Sequence, residues 1–190
     1  MGFTENWYSD EQLQLLATVV RRVRYLEGNI CEFGCWEGRS TIALAKAAAP
    51  EMVIAVDNWS GSHAEGEGHP TVQIAKQRNV YAEFLQNLAD NHCSNVMATI
   101  NDHDEYIAHL AKISARMKFV HIDGAHDYES VHRQIEGLKP LMVKGGIICG
   151  DDFLTASAER VDLGGGVERA VRESCPGFEQ HGNLWVWVAP

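Results

Sequence analysis

Apolar positions come first in helical rhythm: Leu13, Leu16, Val20, Val23 and Leu26 recur every three or four residues, which places them on one helix face. Ser9 stands at the N-cap position with Gln12 three residues on, so a capping box is expected to start the helix and Gly28-Asn29 to end it. The period then changes. The short apolar runs "NICEF" (29–33), "MVIAV" (52–56), "NVMATI" (95–100), "MKFVHI" (117–122) and "GIICG" (146–150) read as strands. Between them, "RSTIALAKAAA" stopped by Pro50, the stretch 72–89, "DEYIAHLAKI" and 128–138 read as helices. No hairpin turn separates successive strands, which favours parallel pairing through right-handed crossovers and a single open α/β sheet with helices on both faces.

The tail is different. "VERAVRESC" reads as a helix, and a turn at Gly182-Asn183 precedes "LWVWV", an edge strand or the second arm of a hairpin, giving the sheet an antiparallel C-terminal edge. Trp185 and Trp187 share one strand face, where core or interface packing is favoured over ligand stacking. Residues 1–190 are expected to form one domain, with 1–28 as an N-terminal helical extension. The polar stretch 58–71, with Gly61, Gly66 and Gly68, is expected to be a mobile active-site loop, although a plain surface loop fits the same composition. In it, His63, Glu65, Glu67 and His69 are available for polar recognition.

Charge and cysteines narrow the function classes. The formal charge is −10, from 26 acidic against 16 basic residues, and "RRVR" (21–24) lies inside a helical pattern. With so little positive field, nucleic acid and acidic membrane surfaces are excluded as partners. The five cysteines include "CEFGC" but no second pair at zinc spacing, which points to free thiols and a reducing compartment. The N-terminus has no basic region followed by an apolar run, and no segment reaches membrane-spanning length, so a cytoplasmic protein is expected. Trp7, Tyr8 and the first helix are candidate contacts for a homodimer.

Candidate chemistry gathers at strand ends. In an open parallel sheet ligands bind outside the carboxyl ends of the strands. Four ends carry polar groups there: "EFGCWEG", "VDNW", "IDGAH" and "GDDF". The first has Gly34 and Gly38 in a turn between strand and helix, without GxGxxG or GxxxxGK[ST], so it suits a nucleoside that has no pyrophosphate and disfavours an NAD-dependent enzyme. Asp57 ends the second strand, 23 residues after Gly34, at the distance from which a carboxylate takes both ribose hydroxyls. Asp123 ends the fourth strand, and Asp151 and Asp152 the fifth. Brought together these carboxylates repel unless a cation neutralises them, and all-oxygen ligation suits Mg²⁺, Mn²⁺ or Ca²⁺. Equally, Asp151 could cap a turn while Asp152 faces solvent.

"EFGCWEGRSTIALA" followed by "VIAVDNW" resembles the first two cofactor motifs of class I S-adenosylmethionine-dependent methyltransferases. "FVHIDGAHDYESVHRQIEGLKPLMVKGGIICGDDF" resembles the macrocin O-methyltransferase and cephalosporin hydroxylase-like group within that class, and the likeness runs over 28–153. The resemblance implies a Rossmann-like methyltransferase domain that uses S-adenosylmethionine and a divalent metal, and a hydroxyl-bearing small-molecule acceptor such as a sugar or polyhydroxylated natural product. It implies that Glu32, Gly34 and Gly38 line the methionine portion, that Asp57 holds the ribose, that Asn101 and Asp102 lie near the adenine with Trp59 covering its ring, and that Ser40 and Asn58 are further cofactor contacts. Asp123 would serve both cofactor and metal. Asp123, Asp151 and Asp152 would be the metal ligands, where catechol-type relatives have Asp, Asp and Asn. His126 would be the general base, as in macrocin-type enzymes, in place of the catechol-type lysine. His121, on the opposite strand face from Ile122, reads as packing or hydrogen-bonded, and Asp127 and Tyr128 as the start of the next helix. Metal-independent or nitrogen-directed transfer, and a non-catalytic cofactor-binding domain, are the alternatives.

Overall fold

Strand and helix periods alternate as the sequence predicts, and the resulting topology puts the polar strand ends together. The computed structural model describes residues 2–62, 66–154 and 165–190. Its helices are α1 (Asp10–Arg22), α2 (Arg39–Ala48), α3 (Pro70–Gln77), α4 (Val80–Asp90), α5 (His103–Lys112), α6 (Tyr128–Leu138) and α7 (Gly166–Ser174). Its strands are β1 (Asn29–Phe33), β2 (Val53–Asp57), β3 (Val96–Ile100), β4 (Met117–Ile122), β5 (Met142–Gly150), β6 (Glu179–His181) and β7 (Leu184–Val188). They form one seven-stranded sheet in the order β3-β2-β1-β4-β5-β7-β6. β1 to β5 pair in parallel, and β7 runs antiparallel to both β5 and β6. Because β1 pairs with both β2 and β4, the connections leave its end in opposite directions, and a crevice opens there.

Both faces are covered. Leu16, Val19 and Val20 of α1 pack with Leu44 and Ala45 of α2 over Ile30, Phe119 and Ile147. On the other face, Ile107, Val131, Ile135 and Val171 cover Cys31, Phe33, Val120 and Ile148. Trp185 and Trp187 join this second cluster, so they serve as core. β7 is an inner strand, and the outer edge is β6, whose Glu179, Gln180 and His181 are all exposed. A short polar edge of this kind does not invite further strand pairing.

Three boundaries differ from expectation. The capping box of Ser9 and Gln12 forms, but α1 ends at Arg22. The next residues turn, and the buried Lys118 ammonium donates to the Leu26 carbonyl (3.0 Å). The stretch 72–89 is two helices, since the Asn79 side chain accepts from the Ala82 N–H (3.0 Å) and starts α4 afresh. β5 begins at Met142, ahead of the expected residue 146. All five cysteines are free thiols. Among the described residues, no helix is long and apolar enough to cross a membrane.

Candidate active site

The β1 end is shaped by one close approach and one carboxylate. Gly34 has φ +86°, and a Cβ there would stand 2.2 Å from the Asp123 carbonyl oxygen, so only glycine lets this turn lie against the end of β4. Asp57 holds the turn from the next strand. Its Oδ2 accepts from the Cys35 (2.7 Å) and Trp36 (2.9 Å) N–H groups, and its Oδ1 accepts from the Trp59 N–H (2.6 Å). α2 then starts at Gly38 with no side-chain cap, leaving its first N–H groups to a ligand or water, and Ser40 of that turn lines the cavity.

Register brings the second group together. Ile122 pairs with Gly150, so the next residues, Asp123 and Asp151, leave the sheet side by side. Asp152 has φ +61°, a left-handed conformation that turns its side chain back; its Oδ2 lies 2.9 Å from His126 Nε2. Ligating atoms of Asp123, His126 and Asp152 all lie within 4.8 Å of one another. Asp151 is outside that group, and both its oxygens face Gln12 Nε2 (3.3 and 3.4 Å). Gln12 is the capping-box residue of α1, so one amide fixes the helix start and reaches the site.

These carboxyls are costly to ionise as they stand. Burial, and then the charge of Asp151, pushes Asp123 well above the ordinary carboxyl range. Burial, then the charge of Asp152, raises Asp151 to about 6. Burial holds the His103 imidazole below its ordinary value, and it raises the thiols of Cys31, Cys35 and Cys149, so none of these is a ready nucleophile. For Asp151 the sign follows from its raised value: the folded chain binds this proton more tightly than the unfolded chain. Its contribution to stability is present below the ordinary pKa and is lost as pH rises from about 4 through about 6. The loss is on the order of 3 kcal/mol. Urea unfolding in metal-free buffer should therefore show the protein losing stability relative to Asp151→Asn across that window. A pH-independent difference between the two would refute the assignment.

A cavity of about 290 Å³ joins both groups. Gly34, Ser40, Asp57 and Asn58 line it together with Asp123, His126, Asp151 and Asp152. Other expected residues lie elsewhere. Glu32 is fully buried, paired with His121 and Thr41. Gly38 packs under Phe84. Trp59 is turned into the core against Tyr81 and Phe84, its indole N–H on the Trp36 carbonyl (2.9 Å). The Asn101 N–H donates to the Asp57 carbonyl (3.1 Å). Asp102 caps α5, accepting from the Asp104 and Glu105 N–H groups, and it lines a smaller adjoining cavity with His103 and Gln134. In the 58–71 loop, Gly61, Ser62 and His69 line the main cavity, and Glu67 pairs with Lys76 at the surface (2.8 Å). His63 and Glu65 lie outside the described residues.

Sequence reasoning missed several lining groups. His103 fills the space beside Gly124, where a Cβ would meet its Cε1 at 2.1 Å; its place just after the Asp102 cap was the available signal. Trp7 and Tyr8 belong to the N-terminal segment, and Asn183 to the C-terminal hairpin turn, where its carbonyl accepts from the Phe153 N–H (2.9 Å). Tyr8 is therefore committed inward, while Trp7 packs tilted against Trp36 with ring centroids 5.7 Å apart.

The family profile described as "Methyltransferase domain" matches residues 31–153. Among solved structures, CalS11, described as a calicheamicin methyltransferase, is 18% identical with TM-score 0.70, covering 95% of this chain and 80% of its own. Its apo structure is described as a TDP-rhamnose 3'-O-methyltransferase. Cofactor-bound Rv0187 from MTB is 18% identical with TM-score 0.68, over 96% of this chain and 81% of its own. The O-methyltransferase TomG from Streptomyces achromogenes, in complex with SAM, is 17% identical with TM-score 0.67, over 96% and 82%. At such identities the likeness is one of fold. No curated protein sequence matches the chain.

Proposed function

This chain belongs to the methyltransferase-domain family, and from that premise we propose that it transfers the methyl group of S-adenosylmethionine to a hydroxyl of a small molecule with the help of a divalent cation. The observation that carries this reading is the pairing, in one cavity, of an Asp57-braced glycine turn with a cluster of Asp123, His126 and Asp152. The turn fits a nucleoside. It offers uncapped N–H groups at α2 and a carboxylate at the end of β2, and no phosphate fingerprint. The acidic cluster fits a hard cation. Buried carboxyls that raise one another's pKa are relieved by positive charge, and Asp123 and Asp152, flanked by Asp151, would hold it.

Bound S-adenosylmethionine supplies an electrophilic methyl carbon on a sulfonium sulfur. A bound divalent cation supplies charge that acidifies a hydroxyl and fixes its direction. The chain's own residues do the rest. Asp57, Asn58 and Ser40 position the nucleoside end, and Gly34 lets backbone approach it. His126 takes the acceptor's hydroxyl proton. Donation from its Nε2–H to Asp152 Oδ2 fixes the ring. S-adenosylmethionine held there would supply the methyl group for that oxygen and would leave as the neutral thioether, with a methyl ether as the other product. The rings of Trp7 and Trp36 line the same cavity, which suits the ring of a sugar or polyhydroxylated natural product as acceptor. The sugar-directed description of CalS11 points the same way.

The same 2.9 Å contact favours a second reading, in which Asp152 orients His126 and no cation takes part. Methyl transfer to polyhydroxylated acceptors, measured before and after stripping divalent cations, separates the two. The proposal expects activity to disappear on chelation and return with Mg²⁺ or Mn²⁺; undiminished turnover in the stripped protein leaves the second reading. Failure to bind S-adenosylhomocysteine would remove both.

A further inference from the structure

Behind Asp123 lies a chain of buried polar groups that the methyl-transfer reading does not use. Glu32 and His121 face each other in register across β1 and β4, both with no exposure to solvent. His121 Nδ1 is 3.0 Å from Glu32 Oε1, and the other Glu32 oxygen accepts from the Thr41 hydroxyl of α2. His121 Nε2 is 3.3 Å from the Tyr8 hydroxyl, which in turn donates to Asp123 Oδ2 at 2.8 Å. A phenol has one proton to give, and the shorter contact to a carboxylate assigns it to Asp123, so the phenolic oxygen is an acceptor toward His121.

Every member but Tyr8 and Asp123 sits on a strand or on α2. Tyr8 comes from the segment ahead of α1 and is 5% exposed. That segment is tied to the rim of the same cavity at further points: the Thr4 N–H donates to Glu37 Oε2 (2.8 Å) and Trp7 packs tilted against Trp36, while Gln12 of α1 reaches Asp151.

We propose that Tyr8 is a positioning residue for Asp123: anchored through His121 and Glu32 to the sheet, its hydroxyl fixes the orientation of the carboxylate that would hold a cation. The proposal rests on the cation reading above. By this arrangement the N-terminal segment, which also borders the glycine turn at Trp36 and Glu37, completes the metal-binding part of the cavity. Groups that hydrogen-bond a ligating carboxylate typically change metal affinity about 10- to 100-fold when removed.

The test uses the full chain and Mn²⁺ as the probe, with free Mn²⁺ followed by electron paramagnetic resonance and S-adenosylhomocysteine binding by calorimetry. Tyr8→Phe keeps the ring and deletes the donor. It is expected to weaken Mn²⁺ binding about 10-fold or more, with S-adenosylhomocysteine affinity and far-UV circular dichroism unchanged. His121→Gln breaks the chain one link earlier and leaves Tyr8 in place, so it gives an independent reading even if Tyr8→Phe does not fold; it should weaken Mn²⁺ in the same sense. Equal Mn²⁺ affinity in wild type and Tyr8→Phe overturns the proposal alone. An equal loss of Mn²⁺ and S-adenosylhomocysteine binding also overturns it, because the effect is then on the whole site. A wild-type protein that binds no Mn²⁺ overturns the cation reading and this proposal with it.

Discussion

His126→Ala is expected to lower the turnover number of methyl transfer by about 10²- to 10⁴-fold, the usual contribution of a positioned general base. The imidazole lines the cavity beside the acidic cluster, 2.9 Å from Asp152 and four residues after the end of β4. Its contact with Asp152 belongs to the acidic cluster, so S-adenosylhomocysteine affinity should stay within about twofold, well under the 1.4 kcal/mol that a tenfold change represents. Steady-state kinetics and calorimetry on the same preparation check both halves. A raised KM with kcat unchanged would assign His126 to acceptor binding alone. Loss of cofactor binding would show that the two ends of the cavity are not independent.

Asp57→Ala is expected to have the largest effect on the fold and to abolish cofactor binding. The carboxylate accepts from three backbone N–H groups, and removing it orphans donors that the turn cannot re-aim without moving Gly34 away from β4. Each stranded buried donor costs about 1–3 kcal/mol. Even the lower figure, taken three times, is a large part of the roughly 5–15 kcal/mol that holds a domain together. Asp57→Asn retains one oxygen acceptor and should be intermediate in urea midpoint while still losing most S-adenosylhomocysteine affinity. If Asp57→Ala unfolds at the wild-type midpoint, the carboxylate does not brace the turn. If Asp57→Asn binds the cofactor normally, it does not take the ribose hydroxyls.

Much of this architecture was legible because its signals are local. The alternation of period between "NICEF" and "RSTIALAKAAA" is a property of adjacent residues, and so is the Ser9–Gln12 box; both appear as expected. Asp57, Asp123, Asp151 and Asp152 could be named because a polar residue directly after an apolar strand lies at the sheet's carboxyl edge wherever that strand is placed. Where local signals competed, the reading erred. The apolar face of 72–89 continues past Arg78, and only the cap made by Asn79 divides it. Trp59 follows a ribose-type aspartate, yet Tyr81 and Phe84 offer its indole a buried place that no spacing within "VDNW" reveals.

Partnership was the part that sequence could not supply. Glu32 and His121 are 89 residues apart and each reads as an isolated polar residue in a strand; the β1–β4 register makes them one buried pair. Likewise the pairing of Ile122 with Gly150 selects which carboxylates stand side by side, and the backbone turn at Asp152 sends one of them to His126 and leaves Asp151 to Gln12. Tyr8 becomes part of the site only when the segment ahead of α1 lies across the end of β4. By itself, then, the sequence determined the strand and helix order, the sheet's parallel core and the chemical inventory at its carboxyl edge, since these follow from periodicity and residue type. The tertiary structure alone decided which of those groups touch, because hydrogen bonds and charge coupling act over a few ångströms, and distances of that order between remote residues are set by strand register and helix packing.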